Sequence, residues 1–202
     1  MQDGIDTWLH GQKSNNASVS PYPTIPPLKR SQNFYSILQS TIFETFHSKC
    51  AFCETKLKKQ NYSLFRYRPF TLSPEIKPNY IWLSWQWPNI YLICETCYRH
   101  YNVSEKARSF PLLPDKRHIK INDHDLNQLF DVSFLNQIES PLILDPCWDN
   151  PEKFFGYRKN EKGLIVPFPV EDNLRANATI AIFLLDREEL GKARKQALDA
   201  FK

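Results

Sequence analysis

Two pairs of closely spaced cysteines constrain the fold of this 202-residue chain more than any other feature. Cys50 and Cys53 form one C-x-x-C motif, and Cys94 and Cys97 form a second one after 40 intervening residues. Two such motifs that meet in space supply four thiolates, a common ligand set of structural zinc. Disulfides are the alternative, and they are disfavoured in a cytosolic chain. The sequence therefore predicts one zinc site that folds the segment between the motifs.

The predicted zinc site is structural because four thiolates leave the ion no coordination position for water. It would stabilise the fold and take no direct part in catalysis. The fifth cysteine, Cys147, has no nearby partner in the sequence. We expect it to be a small buried side chain.

Positive charge is concentrated on the segment that contains the cysteine pairs. Residues 49–120 carry 13 Lys and Arg against 5 Asp and Glu, whereas residues 121–202 carry 10 against 14. A local basic surface attracts phosphate backbones without sequence preference. A solvated surface with no ligand would give the same pattern, so charge alone leaves both interpretations open.

The sequence contains no signal for membrane insertion or secretion. Its longest apolar run, Ile180 to Leu185, is far shorter than the ~20 residues that span a bilayer. The N-terminus lacks a basic stretch followed by an apolar core. A soluble cytoplasmic protein without membrane contact is the expectation.

Hydrophobic periodicity predicts a mixture of helices and strands. The expected elements are a helix from Ser31 to about His47, a strand or hairpin within 56–70 that ends at Pro69, a turn at Trp87 to Asn89, a helix from Cys97 to about Ala107, a strand at Leu142 to Leu144, a helix from Leu174 to Leu185, and a second helix that begins at Asp186.

These elements define an α+β fold class with three regions. Residues 1–28 are rich in proline and are expected to form an extended arm. Residues 29–120 are expected to form the zinc-bound core with its leading helix. Residues 121–202 are expected to form a mainly helical extension packed on that core.

Short motifs recur in an order that resembles a known family. They are Cys-Ala-Phe-Cys-Glu at 50–54, Arg-Pro at 68–69, Tyr80-x-Trp82-Leu83, Trp87-x-Asn89, the second C-x-x-C motif, Phe110-Pro111, Leu144-Asp145-Pro146, Asp149-x-Pro151-Glu152, Ala178-Thr179-Ile180 and Leu185-Asp186-Arg187. Over about residues 28–195, the chain resembles the HNH endonuclease component of Septu-type and retron-linked bacterial anti-phage systems. The resemblance implies a zinc-stapled ββα-metal, or HNH-like, core with flanking helices.

The resemblance also implies that the catalytic positions are altered. In the family the hairpin ends in Glu-His-Phe-Arg-Pro, and the histidine is the general base that activates water. Here Arg66 stands at the histidine position and Phe65 at the glutamate position. Arginine cannot act as a base near neutral pH, although it can hold a phosphate. Tyr98 replaces the family's metal-ligating Asn or His, while Asn89 matches its middle Asn, which braces the hairpin loop.

Three functions remain open at this stage. The first is a non-cleaving or weakened HNH-like subunit that binds DNA or RNA and an ABC/SMC-like ATPase partner. The second is an active endonuclease that uses Mg²⁺ or Mn²⁺, with His100 as substitute base or ligand. The third is a zinc-ribbon interaction module unrelated to nucleic acid. The predicted nucleic-acid contacts are Lys56, Lys58, Lys59, Arg66, Arg68, Arg99 and Lys106.

Overall fold

Helices and two short β-hairpins make up the computed structural model, which describes residues 32–58, 61–70, 79–122 and 124–200, apart from the side chains of residues 32–36 and Lys106. The elements are α1 (Gln32–Thr45), β1 (Tyr62–Arg66), β2 (Ile90–Cys94), α2 (Glu95–Val103), α3 (Glu105–Arg108), α4 (Leu126–Phe130), α5 (Val132–Glu139), β3 (Phe155–Lys159), β4 (Ile165–Pro169), α6 (Leu174–Phe183) and α7 (Glu188–Ala200). The predicted α+β class is confirmed. The predicted arm, residues 1–28, and Ser31 lie outside the described residues.

The cysteine-rich half is organised around β1, β2 and α2. The two strands pair antiparallel, with Tyr62 opposite Cys94 and Arg66 opposite Ile90. Strand β2 is rich in β-branched and aromatic residues and is buried at every position, so it is a central element of the core. Helix α2 begins directly after Cys94, whose side chain accepts a hydrogen bond from the Cys97 amide. The order of these elements is therefore strand, strand, helix.

Within the described residues, one continuous hydrophobic core joins the two halves of the chain. It extends from Ile42 in α1 to Leu190 in α7. Phe183 at the end of α6 stacks on Phe52 with ring centroids 3.9 Å apart. The same ring lies edge-on to Phe65 of β1. Residues of α6 and α7 therefore complete the packing around the cysteine-rich half.

Several predicted elements differ from the structure. Leu142 to Leu144 do not form a strand, because their backbone amides bond instead to the Pro111 carbonyl and the Thr179 hydroxyl. The β3–β4 hairpin, with Phe155 opposite Pro169, lies in the region that was predicted to be mainly helical. Cys147 is exposed, so the prediction that it is buried is wrong. No helix in the described part of the chain is long and apolar enough to cross a membrane.

Candidate metal centre and the adjoining hairpin

The four cysteines of the two motifs meet in one buried cluster. Their sulfur atoms all lie within 4.8 Å of one another, although the two pairs are far apart in sequence. The first pair lies in a turn in which Glu54 donates its amide to the Cys50 carbonyl. That turn is joined to β2 by a bond from the Ala51 amide to the Leu92 carbonyl. The four thiols can thus hold a single metal ion.

The sulfur spacing fits a tetrahedral metal and excludes a disulfide. Cys53 Sγ and Cys94 Sγ are 3.7 Å apart. Zinc–sulfur bonds of ~2.3 Å at tetrahedral angles place neighbouring sulfurs ~3.8 Å apart. A disulfide would bring them to ~2.05 Å. All four cysteines are free thiols that are buried in the fold.

Neighbouring thiols shift the pKa values within the cluster in opposite directions. Hydrogen bonding to Cys50 holds the pKa of Cys53 well below its usual value and lowers the pKa of Cys94 to about 7. Hydrogen bonding to Cys53 raises the pKa of Cys50, and hydrogen bonding to Cys50 raises the pKa of Cys97. Cation binding would release the remaining protons, because the thiolate is the metal ligand.

Two polar groups from outside the motifs lie against the cluster. Arg187 Nη1 lies 3.7 Å from Cys97 Sγ and donates to the Phe183 carbonyl at 3.0 Å. Thr55 Oγ1 lies 3.2 Å from Cys53 Sγ. Four thiolates around a divalent ion carry a net negative charge, which the guanidinium partly offsets. The motif Leu185-Asp186-Arg187 singled out Arg187, but nothing in the sequence placed it beside the cysteines, because it lies 90 residues from Cys97.

Phe65 is a core residue at the end of the hairpin that carries Arg66. Its side chain is buried and lies edge-on to Tyr101, with ring centroids 4.7 Å apart, and to Phe52 at 5.4 Å. Tyr101 belongs to the buried face of α2, together with Cys97. An aromatic ring at this position therefore packs β1 against α2.

A hydrogen bond to a backbone carbonyl and contacts with aromatic rings help to hold Arg66 in place. Its Nε donates to the Ser84 carbonyl at 2.7 Å. Its guanidinium carbon lies 4.8 Å from the centroid of the Phe70 ring and 4.9 Å from that of Trp85. Cation–π contacts of this kind keep the charge and fix its position. The side chain is half-buried, so the cation is fixed at the end of β1.

Asn89 connects the end of β1 to the loop before β2. Its Oδ1 accepts from the Arg68 amide at 2.7 Å, and its Nδ2 donates to the Arg68 carbonyl at 3.0 Å and the Leu83 carbonyl at 3.1 Å. The residue is buried. Three bonds from one side chain satisfy buried backbone groups that would otherwise be unpaired. This geometry holds the loop against the strand.

Tyr98 and His100 lie on opposite flanks of α2. Cys97 and Tyr101 form its buried face, and consecutive residues are turned by ~100° around a helix. Tyr98 is exposed and His100 is half-buried, with Arg99 between them on the exposed face. The role of His100 as a substitute base or ligand stays a prediction.

The predicted nucleic-acid residues divide by their exposure. Lys56, Lys58 and Arg99 are exposed and Arg66 is half-buried, whereas Lys59 and the side chain of Lys106 lie outside the described residues. Arg68 is 1% exposed and pairs with Glu139 at 2.9 Å. The prediction that Arg68 contacts nucleic acid is therefore wrong, because its guanidinium is buried in an ion pair inside the protein.

Glu139, at the end of α5, is a polar centre that sequence reasoning missed. One of its carboxylate oxygens accepts from Arg68 Nε, and the other accepts from the Tyr80 hydroxyl at 2.6 Å and the Ile119 amide at 3.0 Å. Asn136 takes a further bond from Arg68 at 2.7 Å. These bonds join the end of β1 to the C-terminal half. No local motif marks Glu139, because its partners are 20 to 71 residues away.

Comparison with known proteins gives one informative relative. The chain is 28% identical over 171 residues to the Septu protein PtuA of Bacillus mycoides (strain KBAB4), a match that covers 82% of this chain. The chain spans about a fifth of the length of that relative, since the match covers 21% of it. This similarity bears out the predicted resemblance to a Septu component. No family model matches the chain. No solved structure matches it either.

Proposed function

We propose that the chain is a zinc-stabilised, HNH-like subunit of a bacterial anti-phage defence complex, and that it binds nucleic acid with nuclease activity lost or weakened. The single observation that carries the proposal is Arg66, fixed at the end of β1 where the HNH family has its general base. The defence role rests on the similarity to a Septu protein. An ABC/SMC-like ATPase partner comes from the family resemblance.

The order of elements supports an HNH-like core. Strands β1 and β2 form an antiparallel pair, and α2 follows β2 without a linker. Cys94 stands at the junction and contributes to the cluster that can hold zinc. Asn89 ties the loop to the strand end, as the middle Asn of the family does. Four thiolates favour zinc, since soft sulfur ligands in a tetrahedral set suit that ion.

The chemistry of Arg66 supports binding without cleavage. Guanidinium stays protonated at neutral pH, so it cannot take a proton from water. A hydrogen bond to the Ser84 carbonyl and contacts with two aromatic rings help to fix its position. A fixed guanidinium suits a phosphate oxygen. Phe65 stands where the family motif has a glutamate, so a buried aromatic ring occupies that position in place of a second polar group.

Nucleic-acid binding through the exposed lysines is expected to be strongly salt-dependent, because each bound phosphate releases counterions. Charge reversal of Lys56 and Lys58 together should lower affinity for a DNA or RNA duplex about tenfold or more. The slope of the logarithm of the binding constant against the logarithm of salt concentration should also become shallower by about one unit for each phosphate contact that is lost. Fluorescence anisotropy over a salt series measures both. The matched control is Lys153→Glu, an exposed lysine outside the basic segment. An equal loss of affinity in the double variant and in Lys153→Glu, or no binding by the unaltered protein, would contradict the nucleic-acid role.

Plasmid nicking distinguishes the proposal from an active endonuclease. With Mg²⁺ or Mn²⁺ present, the purified protein is expected to show no cleavage above a buffer control, because the base position holds Arg66. Metal-dependent cleavage that His100→Ala abolishes and Arg66→Ala preserves would establish the alternative, an active HNH endonuclease. The half-buried place of His100 on α2, in the helix that follows the second cysteine motif, is the observation that favours that alternative.

A further inference from the structure

The hydrogen-bonding pattern of the β3–β4 hairpin determines which backbone groups face outward. The Val170 amide bonds to the Phe154 carbonyl at 2.9 Å, and the Asn160 amide bonds to the Leu164 carbonyl at 2.9 Å. In an antiparallel pair, bonded and non-bonded positions alternate. With the observed register, the N–H and C=O groups of Phe155, Tyr157 and Lys159 therefore point away from β4.

The outer edge of β4 is closed to a further strand. Pro167 and Pro169 occupy two of its outward positions and have no N–H to offer. Helices α6 and α7 pack against this strand. Gly191 of α7 lies so close that a Cβ placed on it would be 2.9 Å from Leu164 Cβ and 3.5 Å from the Ile165 carbonyl oxygen.

The outer edge of β3 has no comparable protection. Among the residues that the structure describes, Phe155, Tyr157 and Lys159 make no backbone hydrogen bond outside the hairpin. Tyr157 is 58% exposed, and the next two residues are exposed as well. An unpaired strand edge of this kind is a template for pairing with another extended chain.

Strand β3 borders an open cleft of about 790 Å³ beside the first cysteine motif. The floor is apolar, with Phe52, Leu190 and Leu198 among its side chains. Leu198 is 45% exposed, so apolar surface remains uncovered within the cleft. Apolar side chains of a docked strand would find burial here, since alternate residues of a strand face the same side.

The charges around the cleft are mainly positive. Arg158, Lys159 and Arg194 border it, against one exposed carboxylate, that of Glu54. Of the acidic residues there, Asp149 is paired with Arg175 at 2.7 Å. Asp145 is fully buried, and its Oδ2 has no hydrogen-bond partner in the described protein. The exposed charges of the rim are therefore net positive and favour an acidic ligand.

We propose that the free edge of β3 and its cleft are a docking site for an extended, acidic segment of a partner protein, which adds to the hairpin as a third strand. Only a polypeptide backbone repeats donors and acceptors at the spacing of Phe155, Tyr157 and Lys159. The cleft receives alternate apolar side chains, and the basic rim pairs with acidic ones. The inference goes beyond nucleic-acid binding and rests on the proposed function only for the existence of a protein partner.

Amide hydrogen exchange on the zinc-loaded protein, followed by NMR, tests this edge residue by residue. In the free protein, the amides of Phe155, Tyr157 and Lys159 are expected to exchange fast, while those of Gly156 and Arg158 are protected by the hairpin. A short synthetic peptide of alternating valine and glutamate should bind and protect the first set. A peptide with lysine in place of glutamate, or with N-methylated backbone amides, should bind with an affinity at least about tenfold lower.

Tyr157→Pro separates backbone pairing from side-chain contact. It removes an outward N–H without removing a hairpin bond, and the facing strand already carries proline at equivalent positions. The affinity of the Tyr157→Pro variant for the valine–glutamate peptide should be about tenfold lower than that of the unaltered protein. The Tyr157→Ala variant keeps the N–H, so its affinity should fall less. Unchanged protection of Gly156 and Arg158 shows that the hairpin of the variant is intact.

Three results would overturn the proposal. They are equal binding of the N-methylated peptide, absence of protection at the edge amides with every peptide, and protection that rises with protein concentration alone. The last would identify a second copy of the chain as the occupant. None of these readouts depends on nucleic acid, so failure of the docking proposal and failure of the proposed function can be told apart.

Discussion

Replacement of Cys94 by serine is expected to leave the chain without a bound metal ion and without a cooperative folded state. Cys94 is both one of four clustered thiols and the residue that links β2 to α2. Structural zinc sites contribute about 10–16 kcal/mol of apparent binding free energy, which is as large as the whole stability of a typical domain, about 5–15 kcal/mol. Losing one of four thiolates therefore removes most of the net stability. Thermal unfolding by circular dichroism and metal analysis of the variant measure the effect.

The matched control is Cys147→Ser. Cys147 is an exposed thiol that lies outside the cluster, so its replacement should change neither metal content nor the unfolding transition. A Cys94→Ser protein that binds metal and unfolds like the unaltered chain would contradict the four-thiolate site. Refolding of chelator-treated protein on addition of zinc, but not of magnesium, is expected for the same reason.

Replacement of Glu139 by glutamine is expected to cost about 3–5 kcal/mol of unfolding free energy, the usual effect of leaving a buried charge without its partner. Arg68 is as deeply buried as Glu139, and their atoms are 2.9 Å apart. Glutamine would also turn an N–H toward the guanidinium or toward the Tyr80 hydroxyl, which now donates to the carboxylate. Urea unfolding of zinc-loaded protein gives the free energy.

A double-mutant cycle shows whether the cost belongs to the pair. Combining Glu139→Gln with Arg68→Met should cost less than the sum of the single changes, because the uncompensated buried charge is then removed. The control is Lys192→Gln, which breaks an exposed pair with Glu188 at 2.7 Å and should leave the unfolding midpoint unchanged. A small effect of Glu139→Gln, equal to that of the control, would show that the buried pair does not stabilise the fold.

Local spacing in the sequence predicted the cluster of four cysteines correctly, because each C-x-x-C motif brings two thiols together without help from the rest of the fold. The same applies to α1 and α6, whose apolar residues recur at helical spacing, and to the strand that ends near Pro69. These features depend on neighbours within a few residues. They can therefore be predicted from the sequence before any tertiary contact is known.

Features that depend on distant contacts could not be predicted in this way. Arg68 was assigned to a basic surface because nothing near it in sequence indicates burial, and its partner Glu139 lies 71 residues away. The β3–β4 hairpin was missed because Pro167 and Pro169 argue against a strand, although both lie at positions that donate no hairpin bond. Cys147 was expected to be buried from its residue type alone.

Zinc-edge X-ray absorption on purified protein of known metal content tests the four-thiolate centre most directly. About one zinc per chain is expected, coordinated by sulfur alone at ~2.3 Å. Nitrogen or oxygen in the coordination shell, or a folded protein that holds no zinc, would contradict it.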